Sequence, residues 1–169
     1  MAEMDRRHPG VDLSGPEHTA LIEQLRQLAL RDPLTGLLNR LGFDEELLRI
    51  WGLSQIHSFP IGLLIIDIDH FKSINDSYGH FVGDQVLKEC VRLIQASVRE
   101  SDVVCRYYGG DELVVILPDS KLSETRRVAE RMLEKFKSEV VCRGTYDLRV
   151  TISVGACQMA ASPNQTADR

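Results

Sequence analysis

The run Ile61-Gly62-Leu63-Leu64-Ile65-Ile66-Asp67-Ile68-Asp69 constrains the fold of this chain more than any other segment. It is apolar, short and rich in β-branched residues, so Phe59 to Asp69 reads as a buried strand. Two aspartates close it where the strand leaves the core, and packing alone does not call for a charged pair there. With 169 residues, 43% of them apolar and 27% charged, the chain has material for one compact domain and an ordinary core.

The neighbours of that strand follow along the sequence. Residues 1 to 15 are polar, carry Pro9, Gly10 and Gly15, and read as a flexible lead-in. Glu17 to Leu30 has helical spacing, with Leu21, Leu25 and Leu28 on one stripe. Such a helix can pack on the domain or continue a coiled-coil stalk from an upstream module. Asp32-Pro33 ends it, and Thr35-Gly36 supplies a turn. A second helix is predicted over Arg40 to Ile50.

After the central strand, helical spacing returns from Asp84 to Arg99, where Leu87, Cys90, Val91, Ile94 and Val98 share a face. Asp102 to Tyr108 and Glu112 to Leu117 are β-prone runs around Gly109-Gly110-Asp111, which predicts a hairpin. Ser123 can cap a helix to Lys137 that turns Val128, Met132 and Phe136 inward. A last strand is predicted over Asp147 to Cys157. The order β-α-β-β-α-β after two helices predicts an α+β fold, with helices over a mostly antiparallel sheet in the ferredoxin-like style.

The net charge of −5 disfavours a nucleic-acid polymer as partner, because an acidic surface repels a phosphate backbone. A small phosphorylated ligand remains compatible if divalent cations screen it. No apolar run approaches the roughly 20 residues needed to cross a bilayer, and the polar start MAEMDRRHPG lacks the apolar core of a secretory signal. Cys90, Cys105, Cys142 and Cys157 are scattered with no CxxC pair, which reads as reduced thiols in a cytoplasmic protein.

If the first strand lies beside the hairpin, Asp67 and Asp69 meet Asp111 and Glu112 at one edge. Hard oxygen ligands so gathered suit Mg²⁺, which takes one or two carboxylates plus substrate phosphates. Two such ions about 3.5–4 Å apart serve phosphoryl transfer. Turns and strand ends also favour aspartate for their own geometry, and Asp69 on its own reads more readily that way. Gly109 and Gly110 admit positive φ and let a phosphate approach the backbone, although a hairpin turn wants glycine regardless. In the stretch NDSYGHFVGD, Gly79 and Gly83 shape a loop before a helix whose N-terminus favours an anion. Asn75 and Asp84 can hydrogen-bond a purine edge, with Asp84 equally readable as the helix N-cap. Lys72 is either a phosphate partner or a solvated lysine.

Four segments together resemble one family. RDPLTGLLNR (31 to 40), DIDHFKSINDSYGHFVGD (67 to 84), RYYGGDEL (106 to 113) and TISVGA (151 to 156) occur in the order found in GGDEF domains. The resemblance covers Arg31 to Cys157 and implies a diguanylate cyclase of the nucleotidyl-cyclase and polymerase-palm style, with residues 1–30 as a lead-in and 31–169 as the domain. It implies two Mg²⁺ per site, Mn²⁺ being possible, held by Asp67, Asp111 and the backbone carbonyl of Ile68. It implies Asp111 as base, Glu112 beside the metals, Lys72 on the phosphates, Asn75 and Asp84 on guanine, and His80, Gly109 and Gly110 in the substrate site. Each domain would hold one GTP, so a homodimer is required. Arg99 and Asp102 form an RxxD pair, which the resemblance makes an inhibitory site for cyclic di-GMP; an exposed helix end with opposite charges explains the pair equally well.

Two departures follow. Tyr107 and Tyr108 both stand between Arg106 and the glycine pair where the family has one residue, which predicts a bulge near Tyr107. The family also continues past TISVGA into a helix resembling ADxALYxAKxxGRN and a short strand, whereas this sequence reads Thr166-Ala167-Asp168-Arg169 and stops. The competing readings are a catalytically silent GTP- or cyclic-di-GMP-binding regulatory module, a cyclase with another product, which Asn75 and Asp84 disfavour, and a structural dimerisation module.

Overall fold

The central strand, β1 (Ile61–Ile68), is paired on both sides, and the computed structural model describes residues 15–141 and 147–160 around it. Its antiparallel neighbours are β3 (Glu112–Pro118) and β4 (Ile152–Met159), and β2 (Val103–Arg106) adds outside β3. The sheet order is β2-β3-β1-β4, all antiparallel. Helices α1 (Pro16–Ala29) and α2 (Arg40–His57) precede the sheet. Helices α3 (Phe71–Tyr78) and α4 (His80–Gln95) lie between β1 and β2, and α5 (Leu122–Ser138) lies between β3 and β4. The α+β class and the βαββαβ core are as the sequence predicts.

One face of the sheet carries the main core. Leu64, Ile66 and Ile68 of β1 meet Leu113, Val115 and Leu117 of β3 there, under Leu87, Cys90 and Ile94 of α4 and Met132 and Phe136 of α5. The opposite face is covered by α2, whose Phe43 and Ile50 pack on Ile61, Cys105, Val114 and Ile116. That cover does not reach the end of β1, and Ile65 is 60% exposed. The central strand is thus buried along one face and only partly along the other.

Several predicted bounds shift. The stretch read as a loop before Asp84 is helical: α3 ends at Gly79, whose φ of 84° separates it from α4. Gly79 is the N-cap of α4, so Asp84 sits inside that helix and is not its cap. The N-cap of α5 is Lys121, whose backbone N–H donates to Glu124 Oε2 at 2.9 Å, and Ser123 lies one turn-position inside. Helix α2 runs on to His57, and β4 begins at Ile152. Cys90 and Cys105 are buried free thiols whose burial pushes both pKa values up to about 12, so they are inert; Cys157 is free and exposed. Cys142, the lead-in up to Ser14 and the tail from Ala161 lie outside the described residues. Among the described residues no helix is long and apolar enough to cross a membrane.

Candidate active site

Strand pairing brings the predicted acids together. Asp67 of β1 stands directly across from Glu112 of β3, so both project on the same side of the sheet at its open end. Asp111 precedes Glu112 in the hairpin turn. The pKa of Asp67 is raised, first by burial, then by the charge of Asp111 and then by that of Asp69. The charges of Asp111 and Asp69 thus bear on Asp67, a cost to its ionisation that a cation would relieve. Among the described residues no cluster of three or more carboxylate, imidazole or thiol groups is arranged to enclose a metal by itself. The neighbouring carboxylates of Asp67 and Asp111 suit an ion that takes its other ligands mainly from phosphates and water.

Asp69 belongs elsewhere. Its carboxylate accepts from Ser153 Oγ at 2.7 Å and Thr151 Oγ1 at 2.5 Å, and these bonds hold its pKa down. It ties the end of β1 to β4, in line with the plainer sequence reading. His70 follows at φ 60° and starts α3.

The α3–α4 pair positions the other predicted residues. Lys72, one residue into α3, and His80, at the start of α4, are exposed; Asn75 and Asp84 are half-buried. Gly83 lets the two helices cross closely, because a methyl there would run into Asn75 Oδ1. The Asn75 amide is thus held beside the turn of α4 that carries Asp84.

The hairpin contradicts one prediction. From Val103↔Ile116 to Arg106↔Leu113 the β2–β3 ladder keeps one register, and Tyr107 N–H continues it to Glu112 O at 3.2 Å. No bulge forms. The extra tyrosine enlarges the turn instead, and Gly109 (φ 76°) and Gly110 (φ 62°) bend it through the left-handed region.

Arg106, Arg127 and Arg131, which the sequence reading did not assign, complete the picture. Arg106 makes a two-oxygen ion pair with Asp32 at 3.0 and 2.9 Å and donates to Gly110 O at 3.2 and 2.8 Å. Burial raises the pKa of Asp32, but hydrogen bonds from Thr35 and the Arg106 guanidinium outweigh it, and the net shift is downward. The RxxD pair sits at the other end of β2 from the turn. Arg99 N–H donates to Asp102 Oδ2 at 2.8 Å, while Asp102 Oδ1 is buried with no hydrogen-bond partner. The pKa of Asp102 is raised by burial, against the pull of Arg99 and Arg131. Arg99 and Asp102 line two cavities, of about 410 and 280 Å³, and the smaller also takes in Arg127 and Arg131 of α5. The i, i+4 spacing of Arg127 and Arg131 was the available signal, but only the packing of α5 beside the end of α4 gives it meaning.

The family model for the GGDEF domain of diguanylate cyclases matches residues 29–169. The chain belongs to the GGDEF family. Among curated relatives, the response regulator PleD of Caulobacter vibrioides is 41% identical over 136 residues, 79% of this chain and 30% of PleD. The chain thus spans under a third of that relative's length. Among solved structures, the coiled coil and GGDEF domain of DgcB from Caulobacter crescentus, in complex with c-di-GMP, matches with a TM-score of 0.77 and 30% identity, covering 86% of this chain and 77% of that one. The diguanylate cyclase SiaD of Pseudomonas aeruginosa, in complex with its activator SiaC, gives a TM-score of 0.74 and 36% identity, covering 89% and 56%. In this GGDEF chain the family's signature residues Gly109-Gly110-Asp111-Glu112 occupy the turn and the first position of β3.

Proposed function

We propose that this GGDEF chain condenses two GTP into cyclic di-GMP and two pyrophosphates, one GTP per protomer of a homodimer. The observation that carries the reading is Asp67 facing Glu112 across β1 and β3, with Asp111 raising the pKa of Asp67 from the adjoining turn. Asp67, Asp111 and the Ile68 carbonyl would hold Mg²⁺ or Mn²⁺. Bound there, the ions supply neutralisation of triphosphate charge. Asp111 takes the proton of the attacking 3′-hydroxyl as the new bond to the partner's α-phosphorus forms and pyrophosphate leaves. Glu112 stands beside the ions, and Lys72 meets charge spreading onto the phosphate oxygens. Asn75 donates to and accepts from the guanine edge, Asp84 accepts from its donor nitrogens, and His80 stands at the lip of the same cleft. Gly109 and Gly110 leave room for the triphosphate.

Arg99 and Asp102, with Arg127 and Arg131, form a guanidinium-rich recess suited to a guanine nucleotide phosphate. We assign it to inhibition by cyclic di-GMP. The same recess is the observation that favours the second reading, a regulatory module that binds GTP or cyclic di-GMP without turnover.

Incubation with GTP and Mg²⁺, followed by mass analysis, tests both. Cyclic di-GMP from the unaltered chain, lost in Asp111→Ala and formed past its usual plateau in Arg99→Ala, supports the cyclase with product inhibition. Nucleotide binding with no product supports the regulatory module.

A further inference from the structure

The β2–β3 turn is one residue longer than the family pattern, and the ladder beneath it makes no use of the addition. Two adjacent glycines in left-handed conformations are costly to order, since glycine loses more conformational freedom than any other residue. Asp111 follows them, so its position depends on what restrains the turn. Arg106 restrains the far side through Gly110 O.

The near side is restrained by other means. The Arg40 guanidinium lies 5.0 Å from the centroid of the Tyr108 ring and 5.4 Å from that of Tyr107. The two tyrosine rings meet edge-on at 4.5 Å, and Tyr107 meets Phe43 edge-on at 4.8 Å. Tyr108 is 65% exposed, so burial does not account for its placement. A loop tyrosine resting on the nearest arginine is the plainer explanation. Against it, Arg40 is presented by a fixed helix end. Asn39 caps α2 by accepting from Gly42 N–H at 3.1 Å and donates to Ala29 O at 2.7 Å, and Leu38 O accepts from Arg106 N–H at 2.8 Å.

We infer that Tyr108 and Arg40 are positioning residues: the added ring, gripped by Arg40, restores the restraint that lengthening the turn removed, and so holds Asp111 at the strand end. This rests on the reading of Asp111 as an active-site group, but its test does not require turnover.

Amide hydrogen exchange on the full chain without nucleotide reads the turn at Tyr107 and Glu112, whose N–H groups bond Glu112 O and Gly109 O. Tyr108→Ala and Arg40→Ala should each speed exchange there by roughly two- to fivefold, the scale of an exposed cation–π contact. Exchange in β1 and α5 should be unchanged, Tyr108→Phe should behave as the unaltered chain, and the double variant should exceed neither single one. Unchanged exchange in both alanine variants overturns the inference, and so does acceleration spread evenly over the whole chain. If the chain turns over GTP, Tyr108→Ala should lower kcat at constant KM; an inactive parent chain counts against the cyclase reading and leaves the exchange result to decide this one.

Discussion

Asp32 and Arg106 show how much of this domain rests on single pairs. Their side chains are 16% and 13% exposed, so removing one partner strands a largely desolvated charge. Arg106→Ala should cost about 3 kcal/mol, seen as a lower denaturant midpoint at unchanged slope. The folded pKa of Asp32 lies below 3.8, so the pair's contribution is fully present above that value and lost as pH falls through the folded one. Asp32→Asn should therefore be less stable at neutral pH and should lack that part of the acid limb in a pH series of denaturation curves. Asp67 carries the opposite sign. Its raised pKa means ionisation opposes folding at neutral pH, so Asp67→Asn should stabilise the metal-free chain slightly at pH 7, with the gain vanishing below the aspartate range. Mg²⁺ should raise the melting temperature of the unaltered chain and leave that of Asp67→Asn nearly unmoved.

Helix α3 and its crossing with α4 carry the lesson of the element scale. The stretch from Asn75 to Asp84 reads as a loop because the eight-residue α3 stops at Gly79 and breaks any long apolar period there. Only the crossing shows why position 83 is glycine. An alanine there gains helix propensity of roughly 1 kcal/mol but displaces the Asn75 side chain, which can swing away. Gly83→Ala should keep stability within about 1 kcal/mol of the parent while weakening GTP binding by about tenfold, a change in affinity of roughly 1.4 kcal/mol, measured by calorimetry. The hairpin tells the converse story. Its strands and glycines were legible, whereas the bulge predicted from the extra tyrosine was wrong, because a turn absorbs an added residue without disturbing the ladder below it.

As a whole molecule the chain leaves one element without a core. None of the 14 residues of α1 is buried, and Leu21, Leu25 and Leu28 are exposed. An ion pair from Arg26 to Glu45 at 2.6 Å is its surface tie to α2 and contributes little. An isolated helix of that length is marginal in water, so an apolar stripe on it calls for a partner such as the same helix of a second protomer. Replacing Leu21, Leu25 and Leu28 by glutamate should shift sedimentation toward monomer and cut cyclic di-GMP formation, with GTP affinity per chain unchanged.

The sequence by itself determined the central strand, the hairpin, the α+β order and the acids at the strand ends. Those features are written in short-range patterns: short apolar β-branched runs, glycine placement and helical spacing. Tertiary structure decided what those residues meet. It set Asp67 against Glu112, tied Asp69 to β4 and paired Arg106 with Asp32 across the fold. It also gathered Arg99, Asp102 and Arg131 at one recess and laid Arg40 on Tyr108. Each of these depends on register or on helix crossing, which long-range packing fixes and no local pattern encodes. For β1, the run that most constrained the fold, sequence named the strand, and packing decided that its end stays open beside the acids.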